Sequence, residues 1–405
     1  MRVSFRELER AKVLARSRLE SSLSHESVLR ARSDFHARRS PRPCGLTVHP
    51  GLGCSAQCAY CYVEDMGFDF GAIRPYALTG SELAYALLSN PHFFPTLSGT
   101  YLAFGSVTEP LHPVVLDRTM SYLSSVSGWL GNPCQLSTKF PVSERVAARI
   151  ASLRGSPINP LVTIVTLERS RLLEPRAPDP ALRLESIRVM RRAGLKPMLF
   201  LRPIIPGVND DELDDIVSAA KEAGAYGVVV GGLRVTRRIL ERLERLGLDT
   251  REIRRRLTSK PVGAAQVPVA TEDLKREAIE EAKRRGLVPF RSACCANTYN
   301  VLLQRGVRVP CAGLCFLTDL CTSCPVNCRG MEVEVDEEDL RYAVKRLSGE
   351  APEEVGVAGP VVYVRLKAAS RSRARRVARE LRALEPLIRK RVAVLARGGP
   401  CLSSG

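Results

Sequence analysis

Residues 46–65 read LTVHPGLGCSAQCAYCYVED. Cys54, Cys58 and Cys61 are spaced C-x3-C-x2-C behind a short apolar run, Leu46 to Val48, and a Pro-Gly-x-Gly turn. Neighbouring thiols in so tight a loop rarely reach disulfide geometry, so the trio points to a metal centre. A [4Fe–4S] cube usually takes four thiolates. Three would leave one iron open, and an open metal position marks a reactive centre rather than a structural one. A zinc site completed by a distant ligand is the other reading of the same spacing.

Working outward, the composition describes an ordinary globular chain: 405 residues, 45% hydrophobic and 26% charged. No apolar run reaches 18 residues, and the first twenty residues are charged throughout. No membrane association and a cytoplasmic location are expected. Thirteen cysteines in such a chain favour metal chemistry over a disulfide framework. Three sit in the opening motif, seven lie between Cys294 and Cys328, and Cys44, Cys134 and Cys401 stand apart. The net charge of +18 is concentrated at the ends. Residues 1–43 carry 11 Lys or Arg against 5 acidic residues, and residues 341–405 carry 15 against 5. Basic ends round a near-neutral middle suggest a polyanion partner, DNA or RNA, or else solvated Arg-rich helices.

Strand-like runs recur at 46–50, 99–107, 134–139, 161–167, 196–205 and 226–233, with helical stretches at 80–90, 113–127, 142–153, 180–193 and 210–223 between them. Pro113 suits a first helical position, and Asn209 suits an N-cap. Strand–helix alternation implies βαβ units and a parallel sheet. Six strands suit a partial (β/α)6 barrel, with its chemistry at the strand C-terminal ends, where the cysteine loop falls. One or two basic helices are expected over 5–40, charged helices over 234–258 and 272–286, a strand over 360–366 and a strongly basic helix over 370–393. The expected organisation is a basic helical segment (1–43), the partial barrel (44–260), a Cys-rich segment (261–340) and a small basic strand/helix element (341–405).

The cysteine spacing, the aromatic in Cys58-Ala59-Tyr60-Cys61 and the Tyr62 that follows resemble the radical S-adenosylmethionine (SAM) superfamily. Four further blocks are similar to the spore photoproduct lyase-like group within it. They are Phe104-Gly-Ser-Val-Thr-Glu-Pro-Leu-His-Pro113, Leu136-Ser-Thr-Lys139, Thr163-Ile-Val-Thr-Leu-Glu168 with Leu173-Glu-Pro-Arg-Ala-Pro178 and Arg183, and Arg202-Pro-Ile-Ile-Pro-Gly-Val-Asn-Asp210 with Glu212. Together they span about residues 44–235.

The resemblance implies a TIM-like radical SAM barrel in which Cys54, Cys58 and Cys61 hold a [4Fe–4S] cluster. Its open iron is chelated by SAM, and reductive cleavage gives a 5′-deoxyadenosyl radical that abstracts hydrogen. The electron would come from a donor such as ferredoxin or flavodoxin. Tyr60 would lie by the adenine, and Ser106, Thr108 and Glu109 would face the SAM ammonium. Lys139 would face its carboxylate, and Thr163 the ribose. Arg176 and Arg202 would be cationic groups at strand ends, or would brace Glu174 or Glu109.

The same comparison exposes a departure. Ser106 stands where the group carries a cysteine that returns a hydrogen atom to the product radical. An O–H bond is a far poorer hydrogen-atom donor than S–H, so repair of spore photoproduct is not expected. Modification or repair of nucleic acid is one expected function. Modification of a peptide or small molecule is another, and a non-catalytic cluster protein that binds nucleic acid is a third.

Cys294 and Cys295 are followed by Cys311-x3-Cys315-x5-Cys321-x2-Cys324-x3-Cys328. Four of these could hold an auxiliary [4Fe–4S] cluster or zinc. Cys311, Cys321, Cys324 and Cys328 are the preferred set, with Cys315 the alternative. His49, just before the cysteine loop, reads as a packed histidine, and His112 as a turn residue.

Overall fold

In the computed structural model, residues 2–40, 45–311, 324–367, 369–396 and 399–402 are described. The central sheet has seven strands: β1 (Leu46–Val48), β2 (Leu102–Phe104), β3 (Cys134–Thr138), β4 (Ile158–Thr163), β5 (Met198–Ile204), β6 (Gly227–Gly232) and β7 (Val288–Phe290). They lie side by side in chain order, every neighbour parallel, and the two edges do not pair with each other. The sheet is therefore an open, partial barrel. Every residue of β3 and β4 is buried, as a sheet covered on both faces requires.

Helices α1 (Phe5–Glu20) and α2 (His25–Ser33) precede the sheet. The crossovers are α3 (Gly80–Ser89), α4 (Pro113–Trp129), α5 (Glu144–Ala151), α6 (Pro180–Arg192) and α7 (Leu213–Glu222), then α8 (Arg237–Arg245) and α9 (Glu272–Arg284) together. Local chemistry explains where they start. Thr79 and Glu82 form a reciprocal capping box at α3. Pro113 and Pro180 open α4 and α6, where a missing N–H costs nothing.

Three longer helices follow among the described residues: α10 (Ala293–Arg305), α11 (Glu337–Ser348) and α12 (Arg371–Leu381). A second sheet runs in the order β8 (Pro352–Ala358), β9 (Val361–Leu366), β10 (Arg391–Ala396) and β11 (Gly399–Leu402). Helix α12 crosses from β9 to the parallel β10 and buries Ala374, Val377, Ala378 and Leu381. Val3 and Phe5 share this apolar core, and the strand Arg2–Val3 pairs with Glu334–Val335. The basic segments at the two ends of the sequence thus pack on one another.

The structure corrects three expectations. The sheet has seven strands, not six. Val288-Pro289-Phe290 carries a weak strand signal because of its proline, which an edge strand tolerates. The expected basic helix over 370–393 runs as α12 to Leu381, goes on as short helical turns over Arg382–Leu384 and Glu385–Ile388, and stops short of residue 393. Arg389, with φ 54°, turns the chain before β10 begins at Arg391. Asn209 caps no helix with its side chain. Its amide donates to the carbonyls of Val165 (2.6 Å) and Pro203 (3.2 Å) and accepts from Ile205 (2.7 Å), tying the ends of β4 and β5 together.

Candidate active site at the mouth of the parallel sheet

The cysteine loop leaves the C-terminal end of β1. Gly53 turns it with φ +86°, and a Cβ there would meet the Ala72 carbonyl oxygen at 2.3 Å, so only glycine fits. The loop is then held from three sides. Cys54 N–H donates to the Asp69 carbonyl (3.0 Å), Ala59 N–H to Leu173 (2.8 Å), and Cys61 N–H to Cys58 (3.0 Å). Arg242 on α8 donates to the carbonyls of Cys58 (3.3 Å), Ala59 (3.2 Å) and Cys61 (3.1 Å). Its other nitrogen pairs with Glu64 at 2.6 Å, and its guanidinium lies 4.4 Å from the Phe70 ring centre. Sequence reasoning missed this clamp: Arg242 sits about 180 residues from the loop, in a run that reads only as a basic helix.

Cys58 is buried, while Cys54 and Cys61 are half-buried. Burial pushes the Cys54 thiol up to about 11 and raises Cys58 and Cys61 as well. Such thiols stay protonated until a cation offsets the lost hydration, and a coordinating metal deprotonates them outright.

Beside the loop is a cavity of about 370 Å³, a volume suited to a small-molecule ligand. Its walls come from the C-terminal ends of β2 to β6. Of the residues expected there, Tyr60, Cys61, Ser106, Glu109, Lys139, Thr163 and Arg202 line it. Buried Glu109 accepts from Thr138 Oγ1 (2.5 Å) and from the backbone N–H groups of Lys139 (2.9 Å) and Leu111 (3.2 Å). Burial raises its pKa, and those donors pull it back in part. Lys139 Nζ stands 3.8 Å from Glu174 and 5.7 Å from the Tyr60 ring centre. Burial lowers the Lys139 pKa, but the neighbouring acidic groups Cys58 and Glu174 outweigh it and leave it raised. Tyr60 donates its hydroxyl proton to Glu174, whose other oxygen accepts from buried Arg183.

Two hydroxyl oxygens, Ser106 Oγ and Thr108 Oγ1, are buried with no hydrogen-bond partner among the described residues. Ser106 lines the cavity, and Thr108 sits one residue before Glu109 without lining it. Buried polar groups are nearly always satisfied, so the Ser106 hydroxyl at the cavity wall is available to a ligand.

Arg176 does not join this group. Its side chain is exposed, it does not line the cavity, and only its backbone N–H reaches the loop, at Ala56 O (3.3 Å). Arg183, not Arg176 or Arg202, braces Glu174. Cys324, Cys328 and Cys311 lie elsewhere in the fold, while Cys315 and Cys321 fall outside the described residues.

A larger cavity of about 830 Å³ adjoins the first, and Tyr62, Ser106, Arg202, Arg234 and Gln266 line both. Arg39 and the aromatic side chains of Phe35, His49, Phe68 and Tyr76 form its outer wall. No helix among the described residues is long and apolar enough to cross a membrane.

No protein-family model matches the chain. An uncharacterized protein of Mycobacterium tuberculosis is 26% identical over 223 residues, 52% of this chain and 65% of that protein. An uncharacterized protein of Acidianus two-tailed virus is 26% identical over 198 residues, 45% of this chain and 64% of that protein. The chain thus matches less than two thirds of the length of these relatives. Among solved structures, its neighbours include spore photoproduct lyase and SuiB. Spore photoproduct lyase complexed with dinucleoside spore photoproduct is 16% identical, with a TM-score of 0.48 over 62% of this chain and 78% of that one. A variant of that lyase with bound AdoMet and the same dinucleoside has a TM-score of 0.47 over 64% and 79%. Streptococcus suis SuiB bound to precursor peptide SuiA is 14% identical, with a TM-score of 0.41 over 67% and 53%.

Proposed function

We propose that the chain is a radical SAM enzyme. One observation carries this reading: a three-cysteine loop at the end of β1 opens onto a cavity whose polar lining includes the Glu109 carboxyl and the Lys139 ammonium. Cys54, Cys58 and Cys61 would hold a [4Fe–4S] cluster, their thiols too buried to ionise without a metal. Bound there, the cluster and SAM supply one-electron cleavage to methionine and a 5′-deoxyadenosyl radical that removes hydrogen from a substrate.

The protein's own contribution is to bind and orient. Glu109 is fixed by three donors and would face the SAM amino group, with Ser106 and Thr108 as further acceptors. Lys139 would take the SAM carboxylate in a charge-assisted contact. Tyr60 is held by Glu174 and would flank the adenine, and Thr163 would meet the ribose. Ala103, Phe104, Phe200 and Leu233 add apolar surface to a wall that also carries Gln135, Ser137, Thr138 and Gln266. A ferredoxin or flavodoxin would deliver the electron. No step of this reading uses the cysteines between 294 and 328.

For the substrate, the reading favours nucleic acid. The larger cavity combines Arg39, Arg202 and Arg234 with aromatic walls, a pairing that suits phosphates and exposed bases. The test is a cleavage assay on anaerobically reconstituted protein with dithionite, followed by binding to single-stranded DNA and RNA across a salt series. Methionine and 5′-deoxyadenosine should form, and affinity should fall steeply with salt. Cleavage without nucleic-acid binding at low salt would turn the reading to a peptide or small molecule. Binding without cleavage would turn it to a non-catalytic cluster protein.

A further inference from the structure

A second metal site emerges away from this mouth. Helix α10 starts at Ala293 with Cys294 and Cys295 in its first turn, and Cys311 returns to them after the helix. The three sulfur atoms all lie within 4.8 Å of one another. Among the described residues, no other trio of Cys, His, Asp or Glu is gathered so closely, the C-x3-C-x2-C motif included. Ligands on one tetrahedral zinc at about 2.3 Å stand about 3.8 Å apart by geometry. A cube places each thiolate on a different iron and spreads the sulfurs more widely. The trio therefore has the scale of a single ion.

Three surroundings fit an ion rather than chance packing. A cavity of about 20 Å³ is bounded by Cys294, Asn297, Thr298 and Cys311. Buried Asn297 leaves its Oδ1 without a hydrogen-bond partner among the described residues. The first turn of a 13-residue helix favours thiolate over thiol. Cys324 and Cys328 pack in the same small cluster as Cys311, but neither joins the group of sulfurs within 4.8 Å.

We infer that Cys294, Cys295 and Cys311 bind one zinc ion, distinct from the motif cluster, which fastens the start of α10 to the segment leading into the second sheet. Arg389, just before β10, donates to the Cys328 carbonyl (2.5 Å) and continues that fastening. Binding exchanges thiol protons for the cation and needs no oxidant or reductant.

The inference does not rest on the proposed function, and metal analysis of the full-length protein separates the two. Purified wild type should hold about one zinc per chain beside its iron, and X-ray absorption should show zinc in a sulfur shell at about 2.3 Å. A Cys294→Ser/Cys311→Ser variant should lose the zinc and keep the iron. Cys54→Ser should do the reverse. Should the double variant fail to fold, mercurial titration of the wild type should release one zinc. About eight irons with no zinc, zinc retained by the double variant, a shell of nitrogen and oxygen, or a disulfide among these thiols would each overturn the inference.

Discussion

At the scale of single residues, the cavity divides its charges so that each can be tested alone. Glu109→Gln keeps the shape but removes the anion; its amide oxygen can still accept from Thr138 and Leu111, while its NH2 cannot accept from the Lys139 N–H. A hydrogen bond to a charged group contributes about 1.5–3 kcal/mol, so the KM for SAM should rise about 10- to 100-fold while iron content stays constant. Lys139→Met should have a comparable effect through the carboxylate. An unchanged KM in both would remove these residues from SAM binding. Ser106→Cys would place a better hydrogen-atom donor at the cavity wall.

His49 provides a stability test outside the chemistry. Burial, with the nearby positive charges of His36 and Arg39, lowers its pKa from 6.5 to about 4. Between those values the unfolded chain binds more protons, so stability rises with pH there. The contribution is complete above about 6.5 and is lost as pH falls through about 4, a span of roughly 3 kcal/mol. His49→Phe should flatten the denaturation midpoint over this window. A profile identical to wild type would show that another group carries it.

At the scale of elements, much was legible because each signal was local. The Cys54–Cys61 spacing, the Pro113 helix start and the alternation of strands and helices all report on neighbours a few residues apart. What escaped depends on distance. Nothing near Arg242 in the sequence says that it clamps three carbonyls of a loop some 180 residues earlier. Arg176, read as cationic at a strand end, points to solvent because the turn after Leu173 carries it outward, and Arg183 takes the position beside Glu174 from the next helix. Asn209 has the chemistry of a cap but spends its amide on two strand ends. The second-sheet strand β10 was hidden within a basic helical pattern that Arg389 interrupts.

The clamp makes its own prediction. Arg242→Met removes the guanidinium from the Phe70 ring, the ion pair with Glu64 and all three hydrogen bonds to the loop carbonyls. Reconstituted iron should fall to less than half of wild type, with a loss of about 2 kcal/mol in stability. Full iron loading at wild-type stability would show that the loop holds its shape without α8.

At the scale of the whole molecule, the net charge of +18 is not all available to a partner. On α12, Arg373 and Arg376 both pair with Glu350, and near the N-terminal helix Arg346 pairs with Glu9. The cationic side chains at the two joined cavities, Arg39, Arg202 and Arg234, stand where substrate would enter. Arg234→Glu should therefore weaken nucleic-acid binding and lower the salt slope by about one for each phosphate that is no longer neutralised. The double change Arg375→Glu/Arg379→Glu on α12 should act less on turnover than on affinity. Equal effects of both on turnover would mean that the C-terminal helix belongs to the substrate path.

The central claim is that the loop at the end of β1 makes a SAM-cleaving centre. The most direct measurement is product formation by the anaerobically reconstituted, dithionite-reduced full-length chain, compared with Cys58→Ala. The account predicts methionine and 5′-deoxyadenosine from the wild type and neither from the variant. Cleavage that survives Cys58→Ala, or its absence from a wild type carrying a full complement of iron and sulfide, would contradict it.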